Sequence, residues 1–352
     1  MKVLMTADAV GGVWTYALEL AEGLAARDVE VLLALLGPPP SREQRHDLAR
    51  SSVAGWADRG LALEWMDGAE DDLDAAAWWL LELCDAARPD LLHLNGFAIA
   101  AAPTTVPKLV VGHSCVLSWH EAVRGRPAGP EWSWYRRAVS RGLASADALV
   151  APTAAMLGGL VRLYSPRCPC EVIPNGIGAG PRPARKEQLV LGVGRVWDDG
   201  KNLQALQRAA PELPWPVVVA GPGGELGRVT PERLAELYGK AAIFAAPARY
   251  EPFGLSALEA GLAGCALVLG DLPSLREVWG EAALYVDPGD DEALAATLRT
   301  LTGDPSRTAC LGTAARERAS SYTRERMTDA YLDVYDRLKE WAAPPLSLEV
   351  AR

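Results

Sequence analysis

Arg249-Tyr250-Glu251-Pro252-Phe253-Gly254-Leu255-Ser256-Ala257-Leu258-Glu259-Ala260 sets two carboxylates eight residues apart, the first beside a Pro-Phe-Gly turn, the second inside a run of good helix formers. Pro252 and Gly254 favour a turn, and Leu255, Ala257, Leu258, Ala260 and Leu262 favour helix. A loop carboxylate, the open N–H groups of a helix start and a second carboxylate about one turn in therefore meet at one place. The helix start attracts anions, because its first N–H groups are unpaired and its dipole is positive there. Carboxylates repel phosphate but accept hydrogen bonds well from hydroxyl groups. A hydroxyl-rich ligand that carries a diphosphate satisfies all three.

Outward from this stretch, strands and helices alternate along the chain, which predicts α/β architecture with parallel sheets. Strands are expected at 2–6, 30–36, 91–95, 108–112 and 148–152, and again at 189–194, 217–220, 243–246, 266–270 and 283–286. A helix is expected over 14–26, and an amphipathic last helix over 323–341 carries Met327, Tyr331, Val334, Tyr335 and Leu338 on one stripe. The segment 165–187, rich in Pro, Gly and charge, reads as the junction between two halves. At 352 residues, two domains are the default.

Composition narrows the function. The charge of −10 argues against broad nucleic-acid binding and against a whole-protein grip on an anionic membrane. Met1–Met5 reads as a first strand rather than a leader, and runs such as Val217–Ala220 are too short to span a bilayer. A cytoplasmic location is expected, with any membrane contact peripheral. Of the six cysteines only Cys168 and Cys170 are close together, and with no second cluster they predict reduced, mostly buried thiols and no metal site.

Three further segments carry chemistry. Gly11-Gly12 follows the first strand and opens the first helix, where doubly wound sheets bind ligands; the pair also fits a plain tight turn, and a third glycine of the dinucleotide fingerprint is missing. Arg195 and Lys201 follow the first strand of the second half, suited to neutralising a leaving diphosphate. His113 ends a strand and is one of four histidines. Eight of the twelve tryptophans precede residue 135; Trp119, Trp132 and Trp134 surround the polar stretch after His113, and the rest read as packing. Arg124, Arg126, Arg136, Arg137 and Arg141 form a local basic stretch that fits either an anionic acceptor or a solvated helix face.

Glu251-Pro-Phe-Gly-Leu-Ser-Ala-Leu-Glu259 resembles the Glu-x7-Glu signature of the retaining family 4 glycosyltransferases. Gly11-Gly12, His113, Pro174-Asn175-Gly176, Gly194-Arg195 and Lys201-Asn202 match in the same order, over residues 1 to about 340. The resemblance implies the GT-B fold: two Rossmann-like domains facing across a cleft, with the C-terminal helix returning to the first. On this reading 1–172 plus 323–341 form the acceptor domain, 173–322 the donor domain, and 342–352 a loose tail. It implies a nucleotide-sugar donor, most often UDP-hexose, and an acceptor hydroxyl on a saccharide, lipid-linked or small molecule, with no cofactor and no metal. Arg195 and Lys201 would hold the diphosphate, Glu251 and His113 the transferred sugar, and Glu259 the ribose. Gly11, Gly12 and the N–H groups of Phe253, Gly254 and Leu255 would line the donor, with Arg228 and Val229 near the nucleobase. Asn175 would shape the hinge. An epimerase or phosphorylase on the same fold, a nicotinamide-dependent oxidoreductase, and a non-catalytic scaffold derived from a transferase are the competing readings.

Overall fold

The computed structural model of the chain describes residues 1–342. Seven parallel strands form a first sheet: β1 (Lys2–Asp8), β2 (Glu30–Leu36), β3 (Gly55–Asp58), β4 (Leu91–Leu94), β5 (Lys108–Val111), β6 (Ala148–Ala151) and β7 (Cys170–Val172), in the order β3-β2-β1-β4-β5-β6-β7. Five more form a second: β8 (Glu187–Val193), β9 (Val217–Ala220), β10 (Ala241–Ala246), β11 (Ala266–Gly270) and β12 (Leu284–Val286), in the order β12-β11-β10-β8-β9. The helices of the first half are α1 (Gly12–Ala25), α2 (Arg42–Arg50), α3 (Ala69–Ala87), α4 (Val116–Arg124), α5 (Ser133–Ala144) and α6 (Ala154–Tyr164). Those of the second are α7 (Leu203–Ala209), α8 (Pro231–Lys240), α9 (Leu255–Leu262), α10 (Pro273–Trp279), α11 (Asp291–Gly303), α12 (Pro305–Ala319) and α13 (Arg324–Ala342).

The central strands β4, β5, β6 and β11 are buried at every position, as parallel sheets covered on both faces require. Two strands depart from expectation, β3 and β7, and both are short edges. β3 reads Gly-Trp-Ala-Asp, with little strand propensity of its own, and alternates half-buried with exposed. β7 lies inside the segment expected to be pure junction. Its approach uses the Cys168-Pro169-Cys170 stretch, where the Pro169 carbonyl accepts from the Leu149 N–H at 2.9 Å. All six cysteines are free, but only Cys84, Cys115 and Cys265 are buried; Cys168 and Cys170 are partly exposed and Cys310 is exposed, which corrects the expectation of mostly buried thiols.

The chain crosses between the sheets twice, and the crossings run side by side. Ile177 N–H donates to the Tyr322 carbonyl at 3.3 Å, and Arg324 N–H to the Ile177 carbonyl at 3.1 Å. Glu19 of α1 grips both, accepting from Gly178 N–H at 2.9 Å and from Arg324 Nε at 2.6 Å. Helix α13 then lies against α1 and buries the expected stripe Met327, Tyr331, Val334, Tyr335 and Leu338. Residue 342 is helical rather than tail, and 343–352 lie outside the described residues.

Beneath that stripe His93 of β4 is wholly buried, with Nε2 against the Tyr16 hydroxyl at 3.0 Å and Nδ1 against the Tyr335 hydroxyl at 2.6 Å. Burial pushes its pKa down to about 3, so the ring is neutral and polar at both nitrogens. Removing one partner strands a buried nitrogen. We expect Tyr335→Phe to cost about 1–3 kcal/mol, seen as a lower urea midpoint; an unchanged midpoint would show that the α13 hydroxyl carries none of the docking energy.

Candidate functional site

Strand β1 ends at Asp8, whose Oδ1 accepts from Val10 N–H at 2.8 Å and Gly11 N–H at 3.2 Å. Burial raises this carboxyl, and the two N–H bonds and the Arg195 charge oppose the rise. The bonds shape the turn from which α1 starts at Gly12. A methyl group placed on Gly12 would lie 3.3 Å from Leu255 Cδ1, and one on Gly11 would lie 3.9 Å from Arg195 Nη1. The bare turn of the first domain therefore faces both the α9 start and the Arg195 loop of the second.

In that second domain, one side chain organises the loop after β8. Asp198 accepts from Arg195 Nη2 at 2.9 Å through one oxygen and from Gly200 N–H at 2.9 Å through the other. Its carbonyl accepts from Lys201 N–H at 2.9 Å. Arg195 also stacks on Trp197, 5.2 Å from the ring centre, and its buried Nε has no hydrogen-bond partner among the described residues. Lys201 Nζ donates to Glu251 Oε2 at 2.6 Å, tying this loop to the Glu251 turn. Ser274 Oγ donates to the Glu251 carbonyl at 2.5 Å and fixes the turn from below.

Gly254 caps α9 with φ +91°, in the left-handed region that glycine alone enters freely, and offers no side-chain acceptor to the first N–H groups. Phe253 is buried and packs edge-on against Tyr322 at 5.7 Å, anchoring the turn. Glu259 lies four residues after Leu255, hence on the same helix face. It lines a cavity of about 300 Å³ with Thr15, Glu19, Ile177 and Arg182. Desolvation raises its pKa to about 7, opposed by the nearby Tyr238 hydroxyl and helped by a smaller push from Glu19.

His113 lies two residues past β5. Its ring meets Tyr16 edge-on at 4.4 Å, and its Nε2 is 2.8 Å from Asn95 Oδ1. Burial lowers its pKa to about 3, which keeps it neutral. Arg228 is exposed beyond the glycine-rich loop after β9, and Val229 packs partly against the core of the second domain. Asn175 is buried in the first crossing.

Sequence reasoning missed the contacts that close the cleft. Arg124, at the end of α4, pairs with Asp199 at 2.8 Å rather than serving a free basic stretch. A methyl group on Gly200 would sit 2.7 Å from Trp119 Nε1, so α4 rests directly on the Arg195–Lys201 loop. Further along, the Tyr250 hydroxyl accepts from Cys115 N–H at 3.0 Å, Thr153 Oγ1 donates to the Pro252 carbonyl at 2.9 Å, and Glu277 caps α6 by accepting from Ala154 and Ala155 N–H. The signal was the doubled Asp198-Asp199, whose two carboxylates serve different arginines. Between α4, α6 and the Glu251 turn lies a cavity of about 440 Å³ lined by Ser118, Glu121, Met156, Arg162, Arg249, Tyr250, Glu251 and Ser274. No group of three or more His, Cys, Asp or Glu placed to hold a metal ion lies among the described residues, and no helix among them is long and apolar enough to cross a membrane.

Comparison with known proteins adds to this geometry. Residues 10–179 match the family description Glycosyltransferase Family 4, and residues 225–325 match Glycosyl transferases group 1. The first match spans the Gly11-Gly12 turn and His113, the second Glu251 and Glu259; Arg195 and Lys201 fall between them. The chain is 29% identical to a D-inositol 3-phosphate glycosyltransferase of Kineococcus radiotolerans, over 97% of this chain and 94% of the relative. It is 27% identical to the glycogen synthase of Mycobacterium tuberculosis, over 73% and 71%. Among solved structures, a sucrose-phosphate synthase from Thermosynechococcus elongatus superposes with a TM-score of 0.78 at 19% identity, covering 97% of this chain and all of that one. HepE from Anabaena, solved in complex with UDP and glucose, gives 0.74 at 16%, covering 96% and 100%. The fold is shared.

The raised Glu259 carboxyl has a measurable consequence. Between pH 4.5 and 7 the folded chain holds a proton there that the unfolded chain has released, so its contribution to stability falls as pH rises through that window. Thermal melts should show Glu259→Gln matching wild type near pH 5 and exceeding it at pH 8. Equal melting curves at both pH values would mean that Glu259 titrates like an exposed glutamate.

Proposed function

The chain belongs to the family 4 glycosyltransferases of GT-B fold, and on that basis we propose that it moves a hexose from a UDP-linked donor to an acceptor hydroxyl, with retention of configuration and without a metal ion. One observation carries the reading: Arg195, Lys201, Glu251 and the open N-terminus of α9 converge opposite the side-chain-free turn at Gly11-Gly12. Here the diphosphate takes the place that Asp198 and Glu251 now hold on the two cations. Arg195, Lys201 and the α9 N–H groups stabilise its charge as the bond to the sugar breaks, which lowers the barrier more than it tightens ground-state binding. Two fixed cations at the phosphates serve in place of a divalent ion. Glu259 accepts from the ribose hydroxyls. Glu251, released by Lys201, accepts from hydroxyls of the transferred sugar.

The acceptor occupies the cavity between α4, α6 and the Glu251 turn, which places its hydroxyl on the first-domain side of the donor. It attacks on the face that the diphosphate leaves, and a phosphate oxygen takes its proton, so no protein nucleophile is needed. The UDP and glucose held by HepE favour a uridine donor, and the relatives named for glycogen synthesis and inositol phosphate glycosylation favour a saccharide or similarly hydroxylated acceptor. The protein works in the cytoplasm on this reading.

Calorimetry with UDP-, GDP- and ADP-sugars, chelator present throughout, tests it. We expect one nucleotide to bind, to be lost in Glu259→Ala, and to bind more weakly as pH falls below about 7, where the protonated Glu259 carboxyl loses its negative charge. Arg195→Ala or Lys201→Ala should lower kcat about 100- to 1,000-fold. Binding that requires a divalent ion would remove the metal-free mechanism, and absence of binding to every donor would remove the transferase reading itself.

A further inference from the structure

Asn95 directly follows β4, beside β1, and its side chain is held at both ends. Its amide nitrogen lies 2.6 Å from the Thr6 carbonyl, and its backbone N–H donates to Thr6 Oγ1 at 2.8 Å. A carbonyl oxygen only accepts, so the atom facing it is the NH2 group. The opposite atom, Oδ1, therefore faces His113 Nε2 at 2.8 Å, and it too only accepts. The proton of the neutral ring must sit on Nε2. Nδ1 is left with a bare lone pair, without a hydrogen-bond partner among the described residues, on a residue of intermediate burial.

The neighbours of that ring reach the cleft. Tyr16, edge-on to it, lies one turn into α1 past Gly12, and Cys115, two residues on, reaches the Tyr250 hydroxyl next to Glu251. We propose that Asn95 is a positioning residue that locks His113 in the Nε2–H tautomer, so that Nδ1 presents the cleft ligand with a hydrogen-bond acceptor and selects a hydroxyl at that point. A ligand that places a carboxylate or carbonyl oxygen there meets lone pair against lone pair and is refused. The role assigned to that hydroxyl rests on the nucleotide-sugar reading above; the tautomer does not. The titratable groups packed at the ring are Tyr16 of α1, whose hydroxyl burial raises well above its ordinary range, and His93 of β4, held down to about 3; both stay neutral at physiological pH.

Histidine-detected 15N NMR on the full chain reads the tautomer directly, since only His46, His93 and His120 share the spectrum. We expect His113 protonated at Nε2 in wild type and a mixture of tautomers in Asn95→Leu. With the donor identified by calorimetry, Asn95→Leu should keep its nucleotide affinity and lose roughly tenfold in kcat, the worth of one hydrogen bond in the transition state. Asn95→Asp provides a second reading. At the cost of the bond to the Thr6 carbonyl, its carboxylate accepts from Nε2–H and stabilises the imidazolium, so the pKa rises and activity falls with decreasing pH along an acid limb that wild type lacks. An Nδ1–H signal in wild type, unchanged turnover in Asn95→Leu, or an Asn95→Asp pH profile that overlays wild type would each overturn the proposal. Failure of wild type to turn over any nucleotide sugar would instead strike the functional reading, and the NMR result would still decide the tautomer.

Discussion

Between Gly12 of the first domain and Leu255 of the second there is no room for a side chain to be added without a shift. A methyl group would stand 3.3 Å from the leucine, at the point where the carboxyl ends of the two parallel sheets face each other. The consequences follow from geometry. The N-terminus of α9, the Arg195–Lys201 loop and the Glu251 turn all project from strand ends of the second sheet, so they reach the turn after β1 together. Asp8 maintains the approach from the other side by holding the turn through two backbone N–H groups.

The charges gathered there are paired with one another: Arg195 with Asp198, Lys201 with Glu251, and Arg124 with Asp199 across the cleft. The first two pairs keep partly buried charges from standing alone while remaining open to exchange for a stronger anion. On the proposed reading, a diphosphate, which brings more charge than one carboxylate, would compete for the two cations and free Glu251. The third pair differs in kind. It joins α4 to the Arg195–Lys201 loop across the two domains, with Trp119 packed on Gly200 beside it.

Much of this was readable from residue order. The alternation of strands and helices, the returning stripe on α13 and the Glu-x7-Glu stretch carry local signals, either periodic burial or turn chemistry beside helix formers. Edges were harder: Gly55–Asp58 and Cys170–Val172 pair with one neighbour each, and their strand character comes from that neighbour rather than from propensity. Partners distant in sequence were not readable at all. Nothing near Asn95 announces His113, because the two meet only once β4 and β5 pair, and nothing near Arg124 announces Asp199, because that pair exists only once the two sheets have closed. The basic stretch around Arg124 fitted either an anionic acceptor or a solvated helix face for the same reason.

The central claim is that the side-chain-free turn, the Arg195–Lys201 pair and the start of α9 form one diphosphate site. A crystal structure of the chain with UDP, grown in chelator, tests it most directly. The account predicts the diphosphate between the Gly11-Gly12 turn and the side chains of Arg195 and Lys201, with Asp198 and Glu251 displaced from the two cations and the ribose on Glu259. UDP seated away from Arg195 and Lys201, with both ion pairs intact, would contradict it.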